Sequence, residues 1–325
     1  MAADDARSAI DRDIVPMGSK IEELWDQGHF TEGVAAGPDG LMYFSDIALD
    51  NSPGRVMKFD PATNAVTVHC ADSGKSNGLM FDPKGRLIAC CGALYGKRAL
   101  VEILPDGELK VLVDQFEGKP LNSPNDLVID GKGRVYFTDP RYLGPEPLDL
   151  EHMSVYRFDP DGKLHRATTD IEKPNGVYLS PDGEFLYVAE TNNGTTNIEE
   201  GKTYKLGRMT LNAFPIQKNG NLGKKKVLID FGDQTGIDGM TVDQKGNIYA
   251  AVRSSKRFGI VVYDRNGKER TYLPTPELPT NCKFGTGDEA KTLYITAGKS
   301  FYRINLAIEG YHPAMGKSAS KSTAP

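Results

Sequence analysis

Six times along this chain an acid or a primary amide stands at the head of a short apolar run. The copies are Glu32-Gly33-Val34, Asn77-Gly78-Leu79, Asn125-Asp126-Leu127, Asn175-Gly176-Val177, Asp238-Gly239-Met240 and Asn281-Cys282-Lys283. In the first five a Gly-bearing turn follows, such as Pro38-Asp39-Gly40, Gly131-Lys132-Gly133 or Pro181-Asp182-Gly183, and then a second strand-like run. Such residues supply the fixed or positive φ that tight hairpins need. The six openers are spaced by 45, 48, 50, 63 and 43 residues. A repeat of ~40–50 residues with strand patterning is the period of a four-stranded propeller blade.

Each unit carries a second hairpin. Val56–Phe59 with Val66–Val68, Val155–Phe158 with Leu164–Arg166, and Val261–Tyr263 with Arg270–Tyr272 are examples. The sixth copy lacks one strand, whereas Ile21-Glu22-Glu23-Leu24-Trp25 precedes the first opener as one strand too many. Pairing the N-terminal strand into the last blade removes both defects and leaves no exposed edge. The chain is therefore read as all-β, a closed six-bladed β-propeller over 19–308, with an N-terminal extension over 1–18 and a C-terminal tail over 309–325. A helix is expected only over 3–12. The long spacing of 63 residues places an insertion in the fourth blade, within 191–226, read as a longer hairpin or a lid over a pocket.

Composition narrows the partners. With 35 Gly and 20 Pro placed between apolar runs, the chain favours turns over disorder, and its net charge of −5 comes from intermingled acids and bases. No basic stripe suits nucleic acid. No apolar run reaches the ~18–20 residues of a membrane span, and the polar start does not order itself like a signal peptide. The chain reads as soluble, in the cytoplasm or the periplasm; its oligomeric state is left open. Cys70, Cys90, Cys91 and Cys282 have neither metal-site nor framework spacing and read as buried free thiols.

In a propeller the innermost strands start at one mouth of a central channel, so their first residues converge on the axis. Here that ring is Glu32, Asn77, Asn125, Asn175, Asp238 and Asn281. Acids and amides also begin strands for a local reason, by bonding nearby backbone. Six at equivalent positions, two of them carboxylates, ask for a cation or waters, because an unpaired buried charge is expensive. Oxygen donors without His or Cys suit Ca²⁺ best and Mg²⁺ or Mn²⁺ next; Zn²⁺, also admitted, normally recruits nitrogen or sulfur.

At these residues the sequence resembles the gluconolactonase branch of the senescence marker protein/gluconolactonase/luciferin-regenerating enzyme family. The resemblance spans roughly 21–305. It rests on Glu32-Gly33, Leu121-Asn122-Ser123-Pro124-Asn125-Asp126, Phe137-Thr138-Asp139-Pro140, Lys173-Pro174-Asn175-Gly176, Ile237-Asp238-Gly239-Met240 and Pro279-Thr280-Asn281-Cys282. It implies a six-bladed propeller with one catalytic divalent metal, commonly Ca²⁺, and places the metal positions on Glu32, Asn125, Asn175 and Asp238. Asn77 and Asn281 are then structural or touch substrate. Relatives often carry an acid just after the second repeat's Cys, where this chain has Cys91-Gly92. The related fluorophosphatases use an acid three residues after the catalytic Asp for a second calcium; Thr241 stands there, so that site is not carried over.

The expected reaction is hydrolysis of a small-molecule aldonolactone such as glucono-1,5-lactone. The metal polarises the carbonyl and Asp238 acts as general base, or alternatively as nucleophile. Asn77, Asp139, Arg141, Asn192 and Arg253 are candidates for holding substrate hydroxyls, the last four with an exposed-loop alternative. Phosphotriester or fluorophosphate hydrolysis, and a non-catalytic calcium-binding scaffold, are the competing functions. Gly74-Lys75-Ser76-Asn77-Gly78 matches a nucleophile elbow, but a strand follows Ser76 where that motif needs a helix. Gly316-Lys317-Ser318 lacks the upstream Gly of a Walker A loop, and His29 is read as structural.

Overall fold

The computed structural model describes residues 10–199 and 201–315. Among the described residues twenty-four strands form six antiparallel four-stranded sheets, the blades of a six-bladed β-propeller, with one further two-stranded ribbon at Gln115–Phe116 and Lys119–Pro120. The innermost strands are Thr31–Ala36, Ser76–Phe81, Leu127–Ile129, Pro174–Leu179, Ile237–Val242 and Pro279–Phe284. Most of their residues are buried, while outer strands such as Ala65–Cys70 are half exposed. The gradient follows from position: an inner strand is flanked by its neighbours in adjacent blades, an outer one faces water.

Glu22–Trp25 pairs antiparallel with Ser300–Asn305, so the first strand completes the sixth blade. Arg303 Nε reaches Glu22 Oε2 at 2.8 Å across that seam. Behind it Phe44 stacks on Phe301 at 4.3 Å, and Trp25 meets the edge of Phe44 at 5.4 Å. Each such ring contributes about 1.5–3 kcal/mol by leaving water, so closure is held by packing more than by the rim ion pair.

The ladder register shifts at the head of five inner strands, between Glu32 and Val34, Ser76 and Leu79, Pro174 and Val177, Ile237 and Met240, and Pro279 and Asn281. Such bulges turn one side chain out of the pleat, and here they aim the opener at the axis. In four of these five strands the residue after the opener is glycine, and at Gly33 the reason is steric. A Cβ on Gly33 would stand 2.0 Å from the carbonyl oxygen of Asn77, the opener of the next blade.

At the far mouth, 309–315 is packed rather than trailing. Tyr311 N donates to Val242 O (2.9 Å), Tyr178 Oη to Tyr311 O (2.7 Å), and Ala314 is buried in a 3-10 turn. The extension also docks, through buried Ile14 and Val15 and the bond Ala307 N to Ile14 O (2.9 Å). Most of the helix expected over 3–12, and the Gly316-Lys317-Ser318 stretch, lie outside the described residues. Residues 10–15 form a turn closed by Val15 N to Asp11 O (2.8 Å).

Candidate active site

A cavity of about 320 Å³ opens at the mouth where the openers converge. Its lining includes Glu32, Asn77, Asn125, Asn175 and Asp238, with Arg253 beside them. The geometry comes from the strand starts. Gly78 N donates to Asn125 O (2.7 Å), tying the second opener to the third, and Asn125 N bonds Thr138 O (2.9 Å) within its own blade.

Glu32 and Asp238 are buried, 3% and 8% exposed. Burial, reinforced by the negative field of Asp238, holds the Glu32 carboxyl well above its ordinary range, although it accepts Gly33 N at 2.9 Å. Asp238 is pushed up to about 6, by burial first; Arg253 and a hydrogen bond from the Asn175 amide oppose that rise. Arg253 Nη1 lies 3.2 Å from Asp238 Oδ2 and donates to Pro279 O at 3.0 Å, which fixes the guanidinium at the wall. The Oδ1 atoms of Asn77 and Asn175 are buried and have no hydrogen-bond partner in the protein.

Two carboxylates held above their ordinary range and two idle carbonyl oxygens form an acceptor-rich floor. Burying it without a donor or cation would be costly. No group of three His, Cys, Asp or Glu converges among the described residues. A cation here would rest on two carboxylates plus amide oxygens, a hard oxygen set of the kind that Ca²⁺ takes.

Three residues expected at the mouth serve elsewhere. Asp139 is fully buried and accepts Asn122 N (2.9 Å) and Ser123 N (2.7 Å), so it shapes the loop that leads to Asn125. Arg141, 1% exposed, donates to Asn122 O (2.7 Å) and Glu146 O (2.6 Å) and braces two loops. Asn192 turns away to Glu172 Oε2 (2.9 Å), and its neighbour Asn193 lines the cavity instead. Asn281 lies off the cavity: its Oδ1 accepts Cys282 N (2.9 Å) and its Nδ2 reaches Asp126 Oδ2 (3.5 Å). His29 contacts Asp46 and does not line the site, Ser76 Oγ lies 2.9 Å from Ser45 Oγ, and all four cysteines are free and buried.

Asp126, Lys283 and Tyr142 are three further polar residues of the channel and its mouth. Asp126 takes the place that glycine holds after four other openers, and both it and Lys283 are 3% exposed. The Lys283 Nζ lies 4.3 Å over the Tyr178 ring without a hydrogen-bond partner in the protein. The period-two alternation of Asn281 and Lys283 was the available signal, since it puts both on one strand face. Tyr142, on the cavity wall, donates to Thr191 O (2.9 Å) from a loop with no repeat pattern to reveal it.

Residues 30–299 match the model of the SMP-30/Gluconolactonase/LRE-like region. The chain is 32% identical over 319 residues to a gluconolactonase of Zymomonas mobilis, covering 91% of this chain and 84% of that protein. It is 28% identical to pentonolactonase XacC of Haloferax volcanii, over 76% of this chain and 75% of that one. The solved structure of a gluconolactonase from Xanthomonas campestris superposes with a TM-score of 0.77 at 29% identity, covering 91% of each chain.

Proposed function

The chain belongs to the SMP-30/gluconolactonase/LRE-like family, and from that premise we propose that it hydrolyses lactones, glucono-1,5-lactone and related aldonolactones among them. The observation that carries the reading is the cavity floor, where Glu32, Asn77, Asn125, Asn175 and Asp238 meet with two amide oxygens lacking partners. The relatives named for lactone hydrolysis supply the reaction class.

Glu32, Asn125, Asn175 and Asp238 would hold a divalent cation, Ca²⁺ first by the hardness and charge of the donors. When bound, such an ion supplies Lewis acidity toward the ester carbonyl and positive charge for the oxyanion that develops there. Asp238 takes a proton from the attacking water as that oxygen bonds the carbonyl carbon. The ring C–O bond then breaks, and the proton passes to the departing alkoxide, leaving a hydroxy acid. Arg253, at 3.2 Å, favours the ionised form of Asp238 that this role requires. Asn77 offers its free Oδ1 to a substrate hydroxyl.

The test is release of acid from glucono-1,5-lactone by the wild-type protein, by chelator-treated protein, and by Asp238→Asn. General-base assistance is worth roughly 10²–10⁴-fold, so a loss of that order is expected in the variant and a deep loss after chelation. Unchanged rates in both would sink the reading.

A further inference from the structure

The polar groups of the cavity are concentrated on its floor. Above them the wall is built from Phe30, Ile47, Leu49, Leu94, Leu143 and Ile198. Several polar side chains interspersed there are already engaged. Lys75 Nζ donates to Ala48 O and to Asp50 O, Ser123 Oγ accepts Ala93 N (2.9 Å), Asn193 Oδ1 accepts Lys173 Nζ (2.6 Å), and the Tyr142 hydroxyl is given to Thr191 O. A polyol seated against this wall would exchange water for apolar carbon around much of its hydroxyl rim.

Two further observations point the same way. Leu49 and Ile198 are each 56% exposed at the mouth, although both are large and apolar. Leu94 and Tyr95 carry positive φ, 60° and 65°, a region that residues of their bulk rarely occupy. Their N–H groups are pinned by the Glu146 carboxylate at 3.2 and 2.6 Å. A loop held in that conformation sets Leu94 on the cavity wall, a placement that serves contact with something apolar.

We infer that the preferred substrates are lactones bearing an alkyl or aryl substituent, with the ring ester on the polar floor and the substituent against this collar. The inference rests on the lactonase reading and adds the substrate class. Ile198 comes from the fourth-blade insertion and Leu49 from a first-blade loop, so the collar is assembled from loops of different blades.

The experiment is kcat/KM for δ-hexalactone, δ-octalactone and δ-decalactone beside glucono-1,5-lactone, all six-membered rings. Burial of one methylene is worth about 0.8 kcal/mol, so kcat/KM is expected to rise roughly two- to fourfold per added methylene and to exceed the value for the sugar lactone. In the double variant Leu49→Asn/Ile198→Asn, folded by thermal melt, the dependence on chain length is expected to flatten. A flat or falling series with the sugar lactone turned over overturns the inference and leaves the lactonase reading standing. A chain-length slope that survives in the variant overturns the collar assignment. If neither kind of lactone is opened, the lactonase reading itself fails.

Discussion

A Cβ placed on Gly176 would stand 2.3 Å from the carbonyl oxygen of Asp238. The fourth inner strand thus lies directly against the opener of the fifth, and the carboxylate at the floor is positioned by a backbone contact that only glycine permits. Gly176→Ala is therefore expected to push the two strands apart, at a cost of about 1–3 kcal/mol typical of overpacking. Activity should fall further than stability, because Asn175 and Asp238 both move. A melting curve and a lactone rate measured on one preparation check this; unchanged values in both would mean the blades are not locked here.

A divalent cation held by Asp238 would share that carboxylate with Arg253. Removing the guanidinium in Arg253→Gln takes away a positive charge at 3.2 Å. Calcium affinity, read by calorimetry, is expected to rise several-fold, while kcat falls. A drop in calcium affinity would place Arg253 in support of the cation and contradict this expectation.

Asp139 is expected to act as a structural residue. Asp139→Asn keeps one carbonyl acceptor for the two N–H groups of Asn122 and Ser123 and leaves one unpaired, so stability should fall by about 1–3 kcal/mol. The KM for lactone should stay within roughly twofold. A large rise in KM with an unchanged melting temperature would return Asp139 to the role of substrate contact.

Burial pushes the His312 imidazole down to about 4, against the bond it shares with Gly285 O. The unfolded chain takes up a proton near pH 6.5 that the folded one refuses until about 4. Stability from this group is therefore complete above 6.5 and is lost as pH falls toward 4. Thermal melts at pH 7.5 and 5 should show a wild-type drop that His312→Phe reduces. Equal drops would place the acid-sensitive group elsewhere.

The propeller could be read from the chain because its evidence is local and repeated. Five of the six openers carry their own Gly-bearing turn, and the missing strand in the sixth copy has its counterpart in Glu22–Trp25. Glu32, Asn77, Asn125, Asn175 and Asp238 came from the same argument, since one position in the repeat maps to one position on the axis. The mouth was harder. Asp139 ends a second strand and Arg141 sits on the loop after it, where no period says which way a side chain turns, and both turn inward to bond backbone. The same absence of period hid Tyr142 and the apolar wall.

By itself the sequence determined the blade count, the way the ring closes, and the five openers that line the cavity, because each of these depends on spacing along the chain. The tertiary structure alone decided that Asn281 turns to Asp126 and away from the cavity, that Lys283 and Asp126 share the channel interior, and that loops from separate blades build an apolar collar above the floor. Those outcomes depend on distances between residues as far apart as 155 positions. Packing of neighbouring blades sets such distances, and no local pattern encodes them.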